Sequence, residues 1–449
     1  MAEQLLTGWG RTAATRAQVV TPTEREQVAA TLKAAGPRGA IPRGLARSYG
    51  DPAQDAGGTV LDMTGLDRIL AFDVETGTVT VEAGLSLEAL ILDVLPSGWY
   101  PYVTPGTRQV TIGGAIAADV HGKSHHVSGT FGQHVLSFDL RTPDGTLRTV
   151  TRETDPDVFW ATVGGMGLTG VIETATLELY RVETSYFSVD TERATNLDDL
   201  MARLTSTDHL YRYSAAWIDT LARGRHMGRA VLSRGHSATV DQLPPKKQRD
   251  PLRFKVGLRP HAPGIVPPGL LNVATVGAFN ELWYRKAPEE RRGEIQTMST
   301  FFHPLDAVVD WNRVYGSRGF LQYQFVVPYG REDVVQTAVR RLSDARTPAF
   351  LAVLKRFGEG NDGHLSFPQP GWTLALDIPT AMPGLAPMLD ELDELVVEAN
   401  GRIYLAKDSR MRPELLPAMY PRLDEWRRIR AELDPHGVLQ SDLSRRLSL

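Results

Sequence analysis

The side chains most able to do chemistry follow a Gly-Gly pair in the stretch 105–134. His121, Lys123 and His125 come soon after the apolar run 115–118, and the stretch carries four histidines in all. Glycine lacks a Cβ, so the backbone before them can approach a ligand closely. Imidazole and ammonium groups can move protons or hold anions. The pattern predicts backbone laid against a flat or phosphorylated ligand, with reactive side chains beside it. The alternative is a glycine-rich loop next to surface histidines.

The adjacent histidines also suggest a metal site, which the rest of the sequence disfavours. No carboxylate stands at ligand spacing with them on a helix, and no H-E-x-x-H motif occurs. Cysteine is absent, which excludes disulfides, thiolate metal sites, iron–sulfur clusters and a cysteine nucleophile. We therefore predict no metal.

Polar side chains recur on strands predicted later in the chain. Gln322 and Gln324 alternate on a strand at 321–327, so both amides point to one face and indicate a polar pocket. Lys355 follows a predicted strand at 350–354, and Lys407 follows another at 402–406. Each lysine has an ordinary interpretation as a surface cation. Their places at strand ends, in a chain with glycine-rich loops, favour a position facing the ligand.

These side chains need a scaffold, and the first 170 residues predict alternating helices and strands. Thr23 and Glu26 predict a capping box that opens a helix ending at Gly36. Three glycine-rich loops, near 44–50, 106–122 and 164–170, lie among the strands. One ligand wrapped by several loops explains their density better than three unrelated turns. No G-x-G-x-x-G opens a helix after a first strand, so the Rossmann fingerprint is not present.

A second domain is predicted at 185–399, where glycine becomes rarer and the strands become longer and more aromatic. Within it, the segment 244–268 is rich in proline and in basic residues. Two interpretations stay open: a solvated loop, or a mobile basic segment that contacts anionic lipid or a phosphate head group.

The composition is that of an ordinary globular chain of 449 residues, 42% hydrophobic and 23% charged. A net charge of −4 supplies no basic field, so we predict no nucleic-acid partner. No apolar run reaches the ~20 residues of a membrane span, and residues 1–9 lack the apolar core of a signal peptide. We expect a protein that has neither a transmembrane segment nor a signal peptide. We expect it to be cytoplasmic or peripheral at the cell membrane or envelope.

Eight segments spread over nearly the whole chain carry a family resemblance. The chain resembles flavoproteins of the vanillyl-alcohol-oxidase (para-cresol methylhydroxylase) superfamily and, within it, the decaprenylphosphoryl-β-D-ribose 2′-oxidase family. The segments are LTGWGRT (6–12), RGLARSYGD (43–51), PGTRQVTIGGAIAADVHGKSHH (105–126), FWATVGGMGLTG (159–170), ELWYRK (281–286), FLQYQF (320–325), LSFPQPGW (365–372) and AKDSR (406–410).

The resemblance implies an α+β fold with a two-part FAD-binding domain and a substrate domain. The FAD-binding part would be 1–184 with a C-terminal return at 400–449. The substrate domain, 185–399, would be an antiparallel β-sheet flanked by helices. The residues implied to contact FAD are Arg43, Gly44, Leu45, Ala46, Arg47, Ser48, Tyr49, Pro105, Gly106, Thr107, Thr111, Gly113, Gly114, Ala117, Ala118, Val120, His121, Gly122, His125, Gly167, Gly170, Val171, Ile172, Tyr404 and Lys407.

Many members of the superfamily attach FAD covalently through a histidine in the first loop. Tyr49 occupies that region here, and no histidine precedes His121. We therefore predict that FAD is bound non-covalently.

The activity implied is oxidation of the C2′ hydroxyl of decaprenylphosphoryl-β-D-ribose to a ketone, with hydride passing to flavin N5. This would be the first half of an epimerisation that supplies an arabinose donor for cell-wall arabinan, and a partner ketoreductase would complete it. Lys407 would be the cation that stabilises the reduced flavin, and His121 would help to remove the hydroxyl proton. The residues implied to bind substrate are Tyr49, Lys123, Gln322, Gln324, Lys355, Phe357, Thr373 and Ala375.

Three positions depart from the pattern of this family. Ala375 stands where its best-studied members have cysteine, Thr373 replaces an asparagine, and Phe302 replaces a tyrosine. These changes put fine substrate specificity in question rather than the flavin chemistry. Two other functions stay open: an FAD-dependent oxidase or dehydrogenase of a soluble sugar, alditol or aldonolactone, and a non-catalytic flavin or polyprenyl-phosphate binding protein.

Overall fold

The computed structural model describes residues 2–264, 266 and 269–449. Within these residues the chain forms three β-sheets of four, six and eight strands. The two smaller sheets lie in the first 181 residues, and the largest begins at Tyr186. All three sheets are flanked by helices, which confirms the predicted α+β class.

The first sheet is small and mixed, with the order β1-β2-β4-β3. Strand β2 pairs with β1 in antiparallel fashion, whereas β2, β4 and β3 run parallel. Its elements are β1 (Ala2–Thr7), β2 (Ala14–Val20), α1 (Arg25–Lys33), β3 (Ala40–Arg43) and β4 (Thr59–Asp62). Helix α1 starts later than predicted, because Glu24 and not Thr23 is its N-cap. Strand β3 ends at Arg43 and so delivers the first glycine-rich loop at its carboxyl end.

The second sheet is antiparallel, in the order β5-β6-β10-β8-β9, with β7 paired to β10. Its two predicted hairpins are both present, one at each end of the sheet. The elements are β5 (Ile69–Asp73), β6 (Thr78–Glu82), α2 (Leu87–Val94), β7 (Trp99–Pro101), α3 (Ile112–Ala117), α4 (His125–Ser128), β8 (Val135–Arg141), β9 (Leu147–Thr151), α5 (Pro156–Thr162) and β10 (Val171–Arg181).

The third sheet has eight antiparallel strands in the order β14-β11-β13-β12-β16-β17-β15-β18. One of its faces carries apolar residues such as Leu232, Leu354 and Leu374, which are fully buried in the core beneath the amphipathic helices α6, α10 and α11. The elements are β11 (Tyr186–Ala194), α6 (Leu197–Thr207), β12 (Tyr213–Ile218), β13 (Ala230–Ser237), α7 (Pro245–Gln248), α8 (Val273–Lys286), β14 (Glu290–Thr297), α9 (Met298–Phe301), β15 (Phe320–Pro328), α10 (Glu332–Asp344), β16 (Ala352–Phe357), β17 (Gly371–Pro379), α11 (Leu385–Glu398) and β18 (Arg402–Ile403).

The end of the chain packs back onto its beginning. Trp426 donates from Nε1 to the carbonyl of Ala161 at 2.9 Å, and the amide of Gln440 donates to the carbonyl of Ala40 at 3.0 Å. The helices here are α12 (Leu416–Met419), α13 (Leu423–Leu433) and α14 (Asp442–Leu447). Strand β18 precedes them and pairs with β15, so the last segment joins the eight-stranded sheet before it returns.

The basic segment 244–268 carries one short helix, α7, whereas its sequence predicted no regular structure. Residues 265, 267 and 268 of this segment lie outside the described residues. Lys247 stacks over the ring of Tyr186 at 4.3 Å, and Arg259 pairs with Glu88. No helix in the described part of the chain combines the length and apolarity needed to cross a membrane.

Candidate active site

A cavity of about 910 Å³ lies between the glycine-rich loops and the eight-stranded sheet. All three loops contribute to its wall, through residues such as Gly44, Gly106 and Gly167. This volume is at the upper end of the range for small-molecule sites. The three glycine-rich loops, which the sequence predicted to surround one ligand, therefore line one cavity.

The first loop presents its backbone to the cavity. In the described structure, the amides of residues 44–48 donate no backbone hydrogen bond. Gly44 lies so close to Thr111 that a Cβ would meet Oγ1 at 2.1 Å. Ala46 has a φ of 55°, which turns consecutive amides towards the same side. A row of free N–H groups of this kind suits phosphate oxygens.

The second and third loops line the same cavity with small residues. No atom lies within 4 Å of a Cβ added at Gly106, whereas at Gly113 a Cβ would meet that of Ala83 at 2.9 Å. Gly167 has a φ of 79° and packs against Pro42. Side chains at 113 or 167 would displace these neighbours, so the loops are shaped for close approach to a flat ligand.

Most of the predicted cofactor residues line this cavity, and two do not. Val171 is fully buried in a separate core cluster. His125 is buried next to Phe357, with 4.3 Å between the ring centroids, and its Nδ1 accepts from the amide of Gly358 at 3.2 Å. Both residues therefore lie behind the wall, because their side chains point into the core.

One face of the eight-stranded sheet forms the opposite wall. Alternate residues on each strand point to the same face, and with the exception of Ala216 on β12 the strand residues at the cavity follow this period. They are Thr191 on β11, Ala215 and Trp217 on β12, Val231 and Ser233 on β13, Glu294 and Gln296 on β14, Gln322 and Gln324 on β15, Val353 and Lys355 on β16, and Ala375 on β17.

His121 joins the two walls. Its ring is 7% exposed, its Nε2 lies 2.9 Å from Nε2 of Gln324, and its Nδ1 has no partner among the described residues. Gln324 also donates to Oγ1 of Thr373 at 3.2 Å. Burial and the nearby cationic groups Lys355, His125 and Lys407 hold the pKa of His121 well below 6.5, so the ring is neutral.

Two substrate residues predicted from the resemblance support this wall from behind. Thr373 is fully buried and reaches the cavity through Gln324. Phe357 is also buried, and its ring packs edge-on against His121 with 4.9 Å between centroids. Neither lines the cavity, because Gln324 and His121 stand in front of them.

Three lysines at the cavity have depressed pKa values. Burial lowers the pKa of Lys123 to about 7, and burial alone lowers that of Lys355 to about 8. Lys123 donates to the carbonyl of Phe301 at 2.5 Å. The pKa of Lys407 is lowered by burial and raised in part by Asp377. None of the three has a carboxylate within 4 Å in the described structure, so the cavity is poised to receive negative charge.

Lys407 and Tyr49 form the junction between the loops and the sheet. The ammonium group of Lys407 lies 3.8 Å from the centroid of the Tyr49 ring. Strand β18 is shorter than predicted, so Lys407 stands on a turn four residues after it rather than at a strand end. Lys355 lies inside β16, which extends two residues beyond it.

Sequence reasoning missed one buried carboxylate and an aromatic wall. Asp377 on β17 accepts from Nε2 of Gln322 at 2.5 Å and has no exposed surface. The single acidic residue in the apolar strand 371–379 was the signal that could have found it. The aromatic wall, at the side of the cavity towards α8, comprises Trp9, Phe279, Trp283, Trp311 and Phe350.

The remaining histidines of the first stretch have separate partners. Nε2 of His126 lies 2.8 Å from the carbonyl of Tyr211, and His134 stacks on Tyr102 with 4.0 Å between centroids. No group of three His, Cys, Asp or Glu residues suited to a metal occurs in the described residues.

The three departures from the family pattern lie at or next to the cavity. Ala375 lines it, opposite Gln324 on β15 and Val353 on β16. Phe302 also lines it and packs edge-on against Tyr213, with 4.9 Å between centroids. Both add apolar surface where the family offers a thiol and a hydroxyl.

Comparison with known proteins identifies the ligand of the loops. Residues 16–151 match the family model of an FAD binding domain, and residues 377–447 match that of D-arabinono-1,4-lactone oxidase. The free amides at 44–48, the close-packed Gly44 and Gly113 and the open space at Gly106 lie within the first match, and Gly167 follows it. The protein is an FAD-dependent oxidoreductase of the vanillyl-alcohol-oxidase superfamily.

Two relatives that match over nearly their whole length show which family within the superfamily the chain belongs to. The chain is 48% identical to decaprenylphosphoryl-beta-D-ribose oxidase of Mycolicibacterium smegmatis, over 99% of this chain and 97% of the relative. It is 44% identical to an uncharacterised protein of Streptomyces coelicolor, over 81% of this chain and 100% of the relative. L-gulonolactone oxidase of Mus musculus is 33% identical over 31% of this chain and 33% of the relative. By this near-complete match, the chain belongs to the decaprenylphosphoryl-β-D-ribose oxidase family.

Proposed function

We propose that the protein oxidises the C2′ hydroxyl of a polyprenyl-phosphoryl ribose to a ketone. FAD held by the glycine-rich loops would supply the hydride acceptor for this oxidation. The observation that carries the proposal is one cavity that has a backbone cradle on the loop side and is lined by three lysines, none with a carboxylate within 4 Å in the described structure. Such a site can hold FAD and, next to it, the phosphate of a sugar substrate.

We propose that residues 1–184 and 400–449 hold FAD and that 185–399 present the substrate. The three glycine-rich loops at the cavity support the first part, and the lined face of the eight-stranded sheet supports the second. Lys407 would act from the returning segment. Its position between Tyr49 and the sheet supports this role, because a charge there would stabilise the negative charge that develops on reduction.

The hydroxyl proton needs a neutral acceptor, and His121 supplies one. Burial holds its pKa well below 6.5, so the ring is neutral at neutral pH, and Gln324 fixes its orientation. Lys123 and Lys355 would bind the sugar phosphate, since each is a half-buried amine at the cavity without a carboxylate within 4 Å in the described structure. Turnover that persists unchanged in His121→Ala with bound FAD would remove His121 from the mechanism.

The lipid tail would leave along the aromatic wall towards α8. Leu282 and Trp283 at this end are 68% and 43% exposed, and Leu258 in the basic segment is fully exposed. We propose that this edge meets a membrane surface. We expect the protein to sediment with anionic vesicles but not with neutral ones. Failure to sediment with either kind of vesicle would contradict this contact.

Oxidation alone yields a ketone, so epimerisation would need a separate ketoreductase partner. We propose that the purified protein, given polyprenyl-phosphoryl ribose, accumulates the 2′-keto product. Mass spectrometry of the lipid extract should show the keto product as a loss of two mass units. Chromatography of the released sugar separates arabinose from ribose of equal mass, and arabinose formed by the purified protein alone would contradict the need for a partner.

A second candidate is oxidation of a soluble sugar, alditol or aldonolactone, which the match of residues 377–447 to D-arabinono-1,4-lactone oxidase favours. Anaerobic bleaching of the visible flavin band separates the candidates. Polyprenyl-phosphoryl ribose should bleach it under the first proposal, and a free sugar or lactone under the second. A flavin or lipid carrier without activity would show no bleaching with either.

The absence of a histidine near Tyr49 supports non-covalent FAD. Tyr49 is buried and its ring lies under Lys407, so the first loop offers no imidazole to the flavin. Acid precipitation of the purified protein should leave the flavin in the supernatant. A yellow pellet would show covalent attachment.

A further inference from the structure

Asp119 occupies a position at the end of a helix where glycine is usual. It comes directly after Ala118, the C-cap of α3, and has a φ of 40°. Its amide donates to the carbonyl of Ile116, and the amide of Val120 donates to the carbonyl of Ala115, both at 3.0 Å, which is the Schellman pattern. Left-handed backbone costs energy for a residue that has a Cβ. The aspartate gives up backbone stability that a glycine would keep, and its side-chain contacts offset this loss.

The carboxylate of Asp119 is fully buried and accepts hydrogen bonds from three residues. Its Oδ1 accepts from the amide of Gly132 at 3.1 Å. Its Oδ2 accepts from Oγ of Ser366 at 2.5 Å and from Nδ2 of Asn361 at 2.7 Å. A Cβ at Gly132 would meet Oδ1 at 2.9 Å, so the glycine there leaves room for the carboxylate. The carboxylate therefore joins the second glycine-rich loop to the segment that follows strand β16.

His121 lies two residues after Asp119 and is held by the same network. Nδ2 of Asn361 also donates to Oγ1 of Thr130 at 2.7 Å, and Thr130 forms a single antiparallel β-bridge with His121. Phe367 lies on the segment that the carboxylate holds, and its ring packs against that of His121 with 5.5 Å between centroids. The network thus holds both the backbone of His121 and one of the rings packed against its side chain.

Asp119 itself does not face the cavity, whereas its neighbours in the turn do. Ala118, Val120, His121 and Gly122 all line the cavity. An effect of Asp119 on the reaction therefore has to pass through the position of these neighbours.

We propose that Asp119 is a positioning residue for His121: its carboxylate holds the turn 118–122 against the segment 361–366 and so sets where the imidazole stands in the cavity. The inference rests on the proposed function for the proton transfer that His121 serves, but not for the contacts themselves. A base accepts a proton efficiently only within hydrogen-bond reach of the hydroxyl, so a displaced imidazole lowers the rate.

The test uses the FAD-bound protein and two variants of Asp119. Asp119→Gly keeps the left-handed turn without strain and removes the carboxylate, whereas Asp119→Asn keeps the shape and turns one acceptor into a donor. Stopped-flow flavin reduction at increasing polyprenyl-phosphoryl ribose separates the limiting rate from the dissociation constant. We expect the limiting rate to fall by about 10- to 100-fold in both variants. The dissociation constant should stay near the wild-type value, because Lys123 and Lys355 are unchanged.

Visible circular dichroism of the bound flavin supplies a second measurement, which needs no substrate. Because the turn 118–122 lines the cavity, its displacement should change the flavin signal in both variants. The exchange variant Asp119→Asn/Asn361→Asp tests the network directly, since the new amide at 119 donates to the new carboxylate at 361. We expect this double variant to recover most of the limiting rate and the wild-type dichroism.

Asp434→Asn is the matched control. Asp434 is a buried carboxylate that accepts from the amides of Val438 and Leu439 at 2.8 and 2.7 Å, and it does not line the cavity. This variant should lower the free energy of unfolding and leave the limiting rate and the flavin dichroism unchanged. An equal loss of rate in Asp434→Asn and Asp119→Asn would mean that only general stability matters, and would overturn the proposal.

The positioning role and the proposed function fail separately. A limiting rate within a factor of about three of wild type in Asp119→Gly, with unchanged dichroism, would overturn the role of Asp119 and leave the proposed function standing. If polyprenyl-phosphoryl ribose does not bleach the wild-type flavin, the substrate assignment falls. The dichroism of Asp119→Gly and its recovery in the exchange variant then still decide whether the carboxylate holds the turn.

Discussion

The two walls of the cavity recognise ligands by different means. The loop wall works through backbone, with free amides at 44–48 and glycines such as Gly44 and Gly113, at which an added Cβ would collide with its neighbours. The sheet wall works through side chains such as Gln324 and Lys355, which alternate along strands. A wall built from backbone tolerates few changes in shape, but its hydrogen bonds do not depend on the protonation of side chains. A side-chain wall keeps its shape through the sheet and is tuned by its ionisable groups.

The largest effect should come from the residue where the two walls meet. Lys407→Ala removes the cation between Tyr49 and the sheet, and loss of one such charge-stabilising group lowers rates by about 100- to 1,000-fold. Stopped-flow flavin reduction measures the rate, and the flavin spectrum checks that FAD is still bound. Lys33→Ala, at an exposed lysine of α1, is the control. A rate within a factor of three of wild type would break the assignment of Lys407 to the reaction.

The loop wall should fail through shape. In Gly44→Ala the new Cβ collides with Oγ1 of Thr111, and overpacking of this kind costs about 1–3 kcal/mol, or about tenfold in FAD affinity. Fluorescence titration of the FAD-free protein with FAD measures the dissociation constant. Gly36→Ala is the control, since no atom lies within 4 Å of its added Cβ. Equal FAD affinity in both variants would mean that the first loop does not shape the site.

The contrast also explains how far the sequence could predict this protein. Glycine density and turn residues are local signals, so the three loops and both hairpins were visible in the residues themselves. The pairing of Gln322 with Asp377 joins residues 55 positions apart and depends on strand register, which no local pattern encodes. The aromatic wall has the same origin, because Trp9 and Phe350 meet only in the folded chain.

The predicted boundaries were wrong where a backbone turn or a side-chain cap ends or delays the element. The strand predicted at 402–406 stops at Ile403, because the amides of Lys407 and Asp408 turn back to the carbonyl of Tyr404. Helix α1 begins at Arg25, because the Gln27 side chain accepts from the amides of both Thr23 and Glu24. Each shift is a few residues long, and the first changes the element on which Lys407 stands.

The sheet wall should respond to pH in a way that the loop wall does not. The pKa of Lys355 falls to about 8 on folding, so between pH 8 and about 10.5 the unfolded chain binds more protons and stability rises with pH. Lys355→Met removes up to about 1.4 kcal/mol per pH unit of this slope and should raise stability at pH 7. Urea unfolding of the FAD-free protein from pH 7 to 10 measures both effects. A slope equal to that of Lys33→Met would show that Lys355 keeps its ordinary pKa.

The smallest effect on the enzyme should come from a substitution at Ala375, which tests which part of the sheet wall contacts the ligand. Ala375→Cys adds one sulfur at a position that lines the cavity between Gln324 and Val353, at a cost below about 1.5 kcal/mol. Because the chain has no other cysteine, iodoacetamide can report on this site alone. Intact-mass measurement should show a single adduct, and polyprenyl-phosphoryl ribose should slow its formation. Ser233→Cys, on the same face at β13 and three strands away from β17, is the matched position. If substrate protects residue 233 but not residue 375, the sugar lies closer to β13 than to β17, and the proposed placement of the sugar is wrong.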